Sequence, residues 1–147
     1  MTKDEEVFVY DGIEKPPKGT RRMRISDNVK AIPAEEFVEY DFAEVDFTEA
    51  HFLESIGKKS FTRCIFLKQV HLPPCLKRIE AGAFMNCVNI TEVKFGELME
   101  HIGKVAFYGC QCLKELHLPP NLNRIESGAF FFCDGLTKVT FGDESKL

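Results

Sequence analysis

The sequence predicts an α/β repeat solenoid, in which one short structural unit recurs along the chain and each copy packs on the next. Residues 77–87 read KRIEAGAFMNC, and residues 123–133 read almost the same, NRIESGAFFFC. A series of isoleucines also recurs at intervals of 24 and then three times 23 residues: Ile32, Ile56, Ile79, Ile102 and Ile125. Each copy further contains a short stretch in which apolar and polar residues alternate. Such self-similarity at a fixed interval is typical of a solenoid.

The first predicted element is an N-terminal cap formed by residues 1–21, which carry no full repeat. Within it, EVFVY (6–10) predicts an extra strand and DGIEKPPKGT (11–20) predicts a turn-rich loop. A cap of this kind covers the first coil and shields its edge from pairing with other chains. Residues 22–147 form the repeats, and we interpret the whole chain, 1–147, as a single domain.

Each coil contributes one predicted strand, because apolar residues at every second position indicate a strand with one buried face. The segments are RMRI (22–25), EVDF (44–47), QVHL (69–72), EVKF (92–95), ELHL (115–118) and KVTF (138–141). We expect them to form one parallel sheet of about six short strands, spaced about 4.8 Å apart. Two coils leave the strand through Pro73-Pro74 and Pro119-Pro120, and the alternate coils through Gly96 and Gly142, which gives a longer period of 46 residues.

An aromatic spine is predicted to run through the core. Five residues after each isoleucine comes a phenylalanine: Phe37, Phe61, Phe84, Phe107 and Phe130. Stacked coils bring these rings together in offset or edge-to-face contacts. The residue before the ring is small in the later coils, at Ser60, Ala83, Ala106 and Ala129. We expect one or two short helical turns in this part of each coil, on the side opposite to the strands.

A second column contains Tyr40 in the first coil and then Cys64, Cys87, Cys110 and Cys133. Disulfides and a metal site are alternatives, because adjacent coils bring thiols to about 5 Å. The repeat requires a small buried apolar residue at this position, and free cysteine meets that requirement. We therefore expect reduced, buried thiols in the column. Cys75 and Cys112 lie outside it and are the expected reactive thiols.

Charge and composition exclude several classes of function. The chain has 19 basic and 23 acidic residues, a net charge of −4 that disfavours nucleic-acid binding. No apolar stretch approaches the roughly 20 residues of a membrane span. The start, MTKDEEVFVY, lacks the basic and apolar regions of a signal peptide. We expect a soluble protein of the cytoplasm. The final Ser145-Lys146-Leu147 matches a peroxisomal import signal, which makes the peroxisome the alternative location.

No set of residues predicts catalysis, a metal site or a cofactor. His71 and His117 share a strand column with Lys94 between them, so about 9 to 10 Å separates the two histidines, too far to share one metal ion. GKKS (57–60) resembles the end of a phosphate-binding loop, but Phe52 stands where the upstream glycine is required. We therefore expect a protein that is not an enzyme.

Two surfaces are candidates for binding a partner protein. An outward strand column carries polar side chains of mixed sign: Arg24, Asp46, His71, Lys94 and His117. The residues after the spine become more apolar toward the C-terminal end, where Tyr108, Phe131 and Phe132 form the second candidate set. As alternatives, the strand column is an ordinary solvated face, and one of the aromatic rings folds over the final coil.

The repeat pattern resembles the BspA-like leucine-rich repeats. The resemblance is carried by Leu or Met, two residues, Ile, then Ala-Phe, Cys, Leu and Val-x-Leu-Pro-Pro, over residues 22 to 147 in five copies. The opening VFVYDG is similar to the cap of algal, diatom-type members. The first two coils depart from the pattern at Glu36-Phe37 and Ser60-Phe61. Membership implies a curved leucine-rich-repeat solenoid that binds proteins or surfaces without catalysis.

We therefore predict a small protein–protein interaction module without a cofactor, whose partner is another protein. The first alternative is a structural subunit or fragment of a larger repeat protein, which stacks and self-associates through its C-terminal coil. The second is a cell-surface adhesion domain, which requires an export signal.

Overall fold

The computed structural model describes residues 5–147 and shows a β-solenoid of about five turns, with twelve short strands and no helix in that range. In chain order the strands are β1 (Val7–Tyr10), β2 (Arg22–Ile25), β3 (Ala31–Ile32), β4 (Glu44–Asp46), β5 (Ser55–Ile56), β6 (Gln69–His71), β7 (Arg78–Ile79), β8 (Glu92–Lys94), β9 (His101–Ile102), β10 (Glu115–Leu118), β11 (Arg124–Ile125) and β12 (Lys138–Phe141). Every strand pairing is parallel. No helix long and apolar enough to cross a membrane occurs among these residues.

The six predicted strands are present as β2, β4, β6, β8, β10 and β12, but the prediction of one sheet is wrong. They form three separate sheets with the orders β1-β2-β4, β6-β8 and β10-β12. The turns that follow the strands explain why β6 pairs with β8 and β10 pairs with β12. A Cβ added to Gly96 would lie 2.6 Å from the Cα of Pro74 in the preceding coil, and Gly142 packs on Pro120 in the same way. A glycine corner therefore approaches a proline corner closely, which reproduces the 46-residue period.

A second parallel sheet is not predicted by the sequence. Five strands of two residues each form it in the order β11-β9-β7-β5-β3. Its register pairs successive isoleucines, such as Ile56 with Ile79 and Ile79 with Ile102. These side chains are buried. A two-residue strand has no alternation that a sequence can reveal, so only the isoleucine spacing signals it.

The expected helical turns are absent from the described coils, and that prediction is wrong. Each coil instead contains two residues of positive φ, four positions apart: Glu35 and Glu39, Lys59 and Arg63, Gly82 and Asn86, Val105 and Gly109, Gly128 and Phe132. Successive amides also have different partners. The Ser60 amide donates to the Gly57 carbonyl of its own coil, whereas the Phe61 amide donates to the Ala83 carbonyl of the next coil. Beyond its first turn, an α-helix bonds each amide to the carbonyl four residues earlier, and it excludes left-handed residues, so this backbone is not helical.

The predicted aromatic spine is confirmed. The Phe84 ring stacks between Phe61 and Phe107, with ring centroids 5.2 Å apart on each side and interplanar angles of 1° and 7°. Phe130 continues the stack at 5.4 Å from Phe107. The four earlier members are buried and Phe130 is half-buried. The spine therefore ties all coils into one core.

The column cysteines are buried, unpaired thiols. Each Sγ donates to the carbonyl of the spine phenylalanine in the preceding coil, as Cys87 does to Phe61 at 3.0 Å. Burial raises the pKa of Cys64 to about 12 and that of Cys133 to about 11, so these thiols stay protonated at neutral pH. The column is a packing and hydrogen-bonding feature of the core, in agreement with the prediction.

The N-terminal segment covers the first coil. β1 pairs with β2, and the buried Tyr10 ring meets Phe37 edge to face at 4.9 Å. The Tyr10 hydroxyl donates to Glu36, and the Tyr40 hydroxyl donates to the Pro16 carbonyl. The first four residues of the predicted cap lie outside the described part of the chain.

Candidate functional site

The half-buried Tyr108 and the exposed Phe131 and Phe132 lie on two adjacent coils near the C-terminal end, and we call these three residues the aromatic ridge. The rings of Tyr108 and Phe132 meet edge to face with their centroids 5.1 Å apart. Phe131 and Phe132 expose 64% and 59% of their surface. Gly109 donates its amide to the Phe131 carbonyl, so the two coils that form the ridge are adjacent.

The backbone beneath the ridge is costly for the side chain it carries. Phe132 has a φ of 56°, in the left-handed region. The same position holds Gly109 and Asn86 in the two preceding coils, and both residue types tolerate this conformation. For phenylalanine the left-handed backbone costs roughly 1–2 kcal/mol. Glu39 and Arg63 have the same left-handed backbone at this position in the first two coils, so the conformation belongs to the repeat, and Phe132 differs in placing a large exposed ring there.

Neither ridge phenylalanine folds over the final coil, which was the alternative to a contact surface. Phe130 already occupies the core position and stacks on Phe107. Phe131 and Phe132 are both largely exposed. The final coil therefore presents two adjacent rings to solvent in addition to its own core residue.

The residues of the outward strand column lie on β2, β4, β6, β8 and β10, and most of its charged members pair with a carboxylate of the strand face. Arg24 on β2 contacts Asp46 on β4 at 2.8 Å. His71 on β6 lies 2.6 Å from a carboxylate oxygen of Glu92, and Lys94 lies 3.6 Å from the other oxygen. Exposed pairs of this kind contribute at most about 1 kcal/mol to stability. Their consequence is that this face carries few unpaired charges.

Two open depressions interrupt the strand face, one at each break between its three sheets. The first lies between β4 and β6 and is lined in part by Glu44 and His71. The second lies between β8 and β10 and is lined in part by Glu115 and His117. The Nδ1 atom of His117 lies 2.9 Å from the Thr140 hydroxyl. Both depressions are open to solvent and are lined by charged, polar and apolar residues.

Two carboxylates on the strand face, Asp46 and Glu92, have pKa values below their ordinary range. A hydrogen bond with His71 holds the pKa of Glu92 low. Burial alone would raise the pKa of Asp46, but hydrogen bonds from Thr48 and Arg24 outweigh it and lower that pKa. Both groups are ionised at neutral pH, so neither is poised for acid–base chemistry near pH 7.

The two cysteines outside the column differ in access. Cys112 is exposed. Cys75 is half-buried, and its thiol lies within hydrogen-bonding distance of the carbonyls of Ala50 and Leu53. Among residues 5–147, no group of three or more His, Cys, Asp or Glu side chains is arranged to hold a metal ion.

A third surface is not predicted by the sequence and covers the C-terminal end of the solenoid. This end face consists of Val139 and Phe141, which are 43% and 54% exposed, with the half-buried Ile125, Phe130 and Leu136. The residues equivalent to Val139 and Phe141 in the preceding coil, Leu116 and Leu118, are buried. Each coil is normally covered by the next one, and within the described chain no coil covers the last. The sequence indicates this face only through the repeat register, because Val139 and Phe141 stand at positions that are buried in the preceding coil.

Comparison with protein families gives a match over most of the chain. A family model described as "BspA type Leucine rich repeat region (6 copies)" matches residues 22–146. The model counts six copies, where the isoleucine spacing indicates five. No curated protein matches the chain.

Solved structures share this architecture. The leucine-rich repeat protein TpLRR of T. pallidum matches with a TM-score of 0.75 and 25% identity, over 80% of this chain and 56% of that one. A leucine-rich repeat protein from Bacteroides ovatus ATCC 8483 matches with a TM-score of 0.75 and 28% identity, over 85% of this chain and 32% of that one. The pneumococcal vaccine antigen PcpA shares the fold at 22% identity and a TM-score of 0.74, over 93% of this chain and 35% of that one. The chain thus spans about half the length of the first protein and about a third of the others.

Proposed function

The chain belongs to the BspA-type leucine-rich repeat family, and from this premise we propose that it is a non-catalytic module that binds another protein through the surface of its solenoid. The observation that carries the proposal is the aromatic ridge. Phe131 and Phe132 are adjacent, exposed and held on a backbone that is costly for Phe132. Large aromatic side chains supply much of the binding energy at protein interfaces.

The ridge is favoured over the strand column because the charges of the column already form ion pairs within the chain, whereas the ridge phenylalanines are exposed to solvent. Arg24 and Lys94 contact carboxylates of their own chain, so a partner has to compete with these ion pairs. The Phe131 ring has no such competitor and gains free energy whenever a partner removes it from water. The expected partner is a protein with an apolar groove or pocket that receives the two rings. The strand column then supplies secondary polar contacts.

A non-catalytic role is supported by the filled interior of the solenoid. The phenylalanine spine and the cysteine column occupy the space between the sheets. The depressions on the strand face are open to solvent, unlike the clefts that bury most of the surface of a small substrate.

The test of the ridge uses a substitution that separates binding from folding. Phe132→Asn places at position 132 the residue type that the equivalent Asn86 has at a φ of 59°. We expect it to raise the free energy of unfolding by about 1 kcal/mol, because asparagine tolerates this backbone. We also expect it to lower capture of the partner at least tenfold in a cross-linking pull-down from native extract, with proteins identified by mass spectrometry. Substitution of a residue that only supports the fold would not increase stability and weaken partner capture at the same time.

Phe52→Asn is the matched control, because Phe52 is also a largely exposed phenylalanine but lies outside the ridge. It should leave capture of the same partner unchanged. Equal loss of capture in the Phe52 and Phe132 variants would contradict binding through the ridge.

A second role, assembly through the final coil, is favoured by the end face. Val139 and Phe141 occupy core positions of the repeat and are nevertheless exposed. Covering them with another coil or chain would bury apolar surface and stabilise the assembly. Sedimentation of the 147-residue chain over a range of concentrations tests this role, and a monomer at every concentration would exclude it.

We also propose the cytoplasm as the location, with the peroxisome as the alternative through Ser145-Lys146-Leu147. Support comes from the six unpaired cysteines, including the exposed Cys112, because free thiols persist in reducing compartments. An N-terminally tagged chain imaged in cells should be diffuse. Import into peroxisomes that is lost when Leu147 is deleted would overturn this location.

A further inference from the structure

The turns that lead from the strand face to the five-stranded sheet carry exposed apolar side chains in three successive coils. Each of these turns is closed by the same backbone hydrogen bond, which the amide of its fourth residue donates to the carbonyl of its first, as Leu53 does to Ala50. The third residue of the turn is, in chain order, Asn28, Phe52, Cys75, Leu98 and Asn121. We call Phe52, Cys75 and Leu98 the apolar strip. Phe52 and Leu98 are 61% and 49% exposed, and Cys75 is half-buried.

The asparagines on either side of the strip show what the turn itself requires. The side-chain amide of Asn28 donates to a backbone carbonyl of the cap at 3.0 Å, and that of Asn121 donates to the Glu97 carbonyl of the preceding coil at 2.8 Å. Asparagine is also a usual turn residue. Phe52 and Leu98 cannot form such a hydrogen bond, and they expose apolar surface instead. The fold gives no reason for these two side chains, and residues that break a local rule without structural gain are expected at functional sites.

The strip has a fixed spacing because its turns pack directly on each other. The Cys75 thiol lies within hydrogen-bonding distance of two carbonyls of the preceding turn, and the Gly96 backbone packs on Pro74. Adjacent coils are about 4.8 Å apart, so Phe52 and Leu98 are separated by about 10 Å along the solenoid. Two turns of an α-helix, with a rise of about 5.4 Å each, span the same length. A helix that lies along the strip therefore brings its residues i, i+3 or i+4, and i+7 to successive coils.

The charges beside the strip are mostly negative. Its turns and the residues next to them contain four exposed carboxylates: Glu49, Glu54, Glu97 and Glu100. The basic residues of the same segments are His51 and Lys77, and the Lys77 ammonium lies 3.5 Å from Glu54. The other three carboxylates form no ion pair with any described residue. They attract lysines and arginines of a partner and repel the anionic surface of a membrane.

We propose that the apolar strip binds an amphipathic helix of a partner protein, in which lysines and arginines flank the apolar face. Phe52 and Leu98 contact the apolar face of that helix, and Glu97 and Glu100 pair with its basic residues. An apolar helix face laid along a hydrophobic surface is a common mode of peptide recognition. This role is separate from that of the aromatic ridge, because the ridge lies on the turns that follow the short strands.

A synthetic peptide of about four helical turns is the probe for this site. It carries leucines on one helical face, lysines at the remaining positions and a fluorescent label. Titration with the full chain, followed by fluorescence anisotropy, should show saturable binding that weakens as the salt concentration rises. The same peptide with glutamate in place of lysine should bind at least tenfold more weakly. No binding of the lysine peptide, or equal binding of both peptides, would overturn the proposal.

The double variant Phe52→Asn/Leu98→Asn removes the apolar surface with a residue that the turn accepts. Asn28 and Asn121 already occupy the equivalent positions, so the variant should remain folded, which circular dichroism verifies. We expect the dissociation constant of the lysine peptide to rise at least tenfold. An unchanged dissociation constant would refute binding through the strip.

A pair of charge variants separates a specific site from general attraction to an acidic protein. Glu97→Gln/Glu100→Gln should weaken binding of the lysine peptide roughly fivefold. Glu35→Gln/Glu115→Gln is the matched control, because it removes the same charge from exposed positions outside these turns. It should leave the dissociation constant unchanged. Equal effects of the two variants would contradict a site at the strip.

Two further measurements distinguish the strip from the ridge and from a membrane site. Phe131→Ser/Phe132→Asn should bind the lysine peptide as tightly as the unsubstituted chain, and loss of binding in this variant would overturn the assignment to the strip. Vesicles of phosphatidylcholine and phosphatidylserine should not sediment with the chain. Vesicle binding that is lost in Phe52→Asn/Leu98→Asn would identify a membrane as the occupant and refute the proposed helix.

Discussion

Truncating one ring of the phenylalanine spine, Phe84→Ala, tests the packing of the whole solenoid. Phe84 is fully buried between Phe61 and Phe107, with ring centroids 5.2 Å away on both sides. The substitution loses the transfer free energy of the ring and leaves a cavity. The coils cannot close that cavity because their backbones are fixed to each other by hydrogen bonds. We expect the free energy of unfolding to fall by about 3–5 kcal/mol.

Two further variants show how the loss of stability depends on where the substituted side chain lies. Phe130→Ala should cost about half as much, because Phe130 is half-buried and contacts a spine ring on one side only. Lys94→Ala on the strand column should change the free energy of unfolding by no more than about 0.5 kcal/mol, because its contact with Glu92 is exposed.

Urea unfolding followed by circular dichroism measures all three variants. With a denaturant dependence of about 2 kcal/mol per molar urea, a loss of about 4 kcal/mol moves the midpoint down by about 2 M. The order expected for the losses is Phe84→Ala, then Phe130→Ala, then Lys94→Ala. Equal losses at positions 84 and 94 would refute the repeat register from which the core and the surface are assigned.

Three further outcomes are expected. The buried Ser60 hydroxyl has no hydrogen-bond partner and aligns with alanines, so Ser60→Ala should raise the free energy of unfolding by about 1 kcal/mol in thermal melts, and a loss would contradict this. Thiol labelling of the folded chain should modify Cys112 first and Cys87 only after unfolding, and rapid labelling of Cys87 would exclude a buried column. Asp46→Asn should destabilise the fold at pH 7. The native pKa of Asp46 is lowered, so this difference should be lost as the pH falls from about 4 through the folded-state pKa, and its persistence at lower pH would refute the ionic contribution.

The features that the sequence predicts are those repeated in every coil. The interval between isoleucines, the alternation in the strands and the phenylalanine position each recur, so chance agreement is excluded by repetition alone. The extra strand at Val7–Tyr10 is also predicted, because its alternation is visible without a repeat.

The turns are less predictable because their signal differs between coils. Gly82, Asn86 and Gly109 reveal left-handed positions, but Glu35 and Val105 occupy equivalent positions and do not. Read as a pattern of side chains, the segment is compatible with a helical turn. Hydrogen bonds between coils decide its conformation, and these depend on neighbours 22 or more residues away. The breaks in the strand sheet have a similar origin, because they depend on how corners of adjacent coils pack.

The candidate surfaces are predicted to different degrees. The residues of the ridge stand out because aromatic side chains accumulate at Tyr108, Phe131 and Phe132. Whether a ring folds inward depends on space that Phe130 already fills, and the sequence does not reveal that. The end face is not predictable from residue type, because Val139 and Phe141 are apolar like the buried residues at the equivalent positions of other coils.

The most direct test of binding through the ridge compares it with the strand column in one quantitative capture assay. The double variants Phe131→Ser/Phe132→Asn and His71→Ala/Lys94→Ala each remove two exposed side chains, one pair from each surface. After cross-linking pull-down from the same extract, isotope-labelled mass spectrometry gives the amount of partner bound by each chain. We predict that the ridge variant binds at least tenfold less partner than the unsubstituted chain, while the strand variant binds more than half as much as that chain. Loss by the strand variant with full retention by the ridge variant would contradict the proposed binding surface.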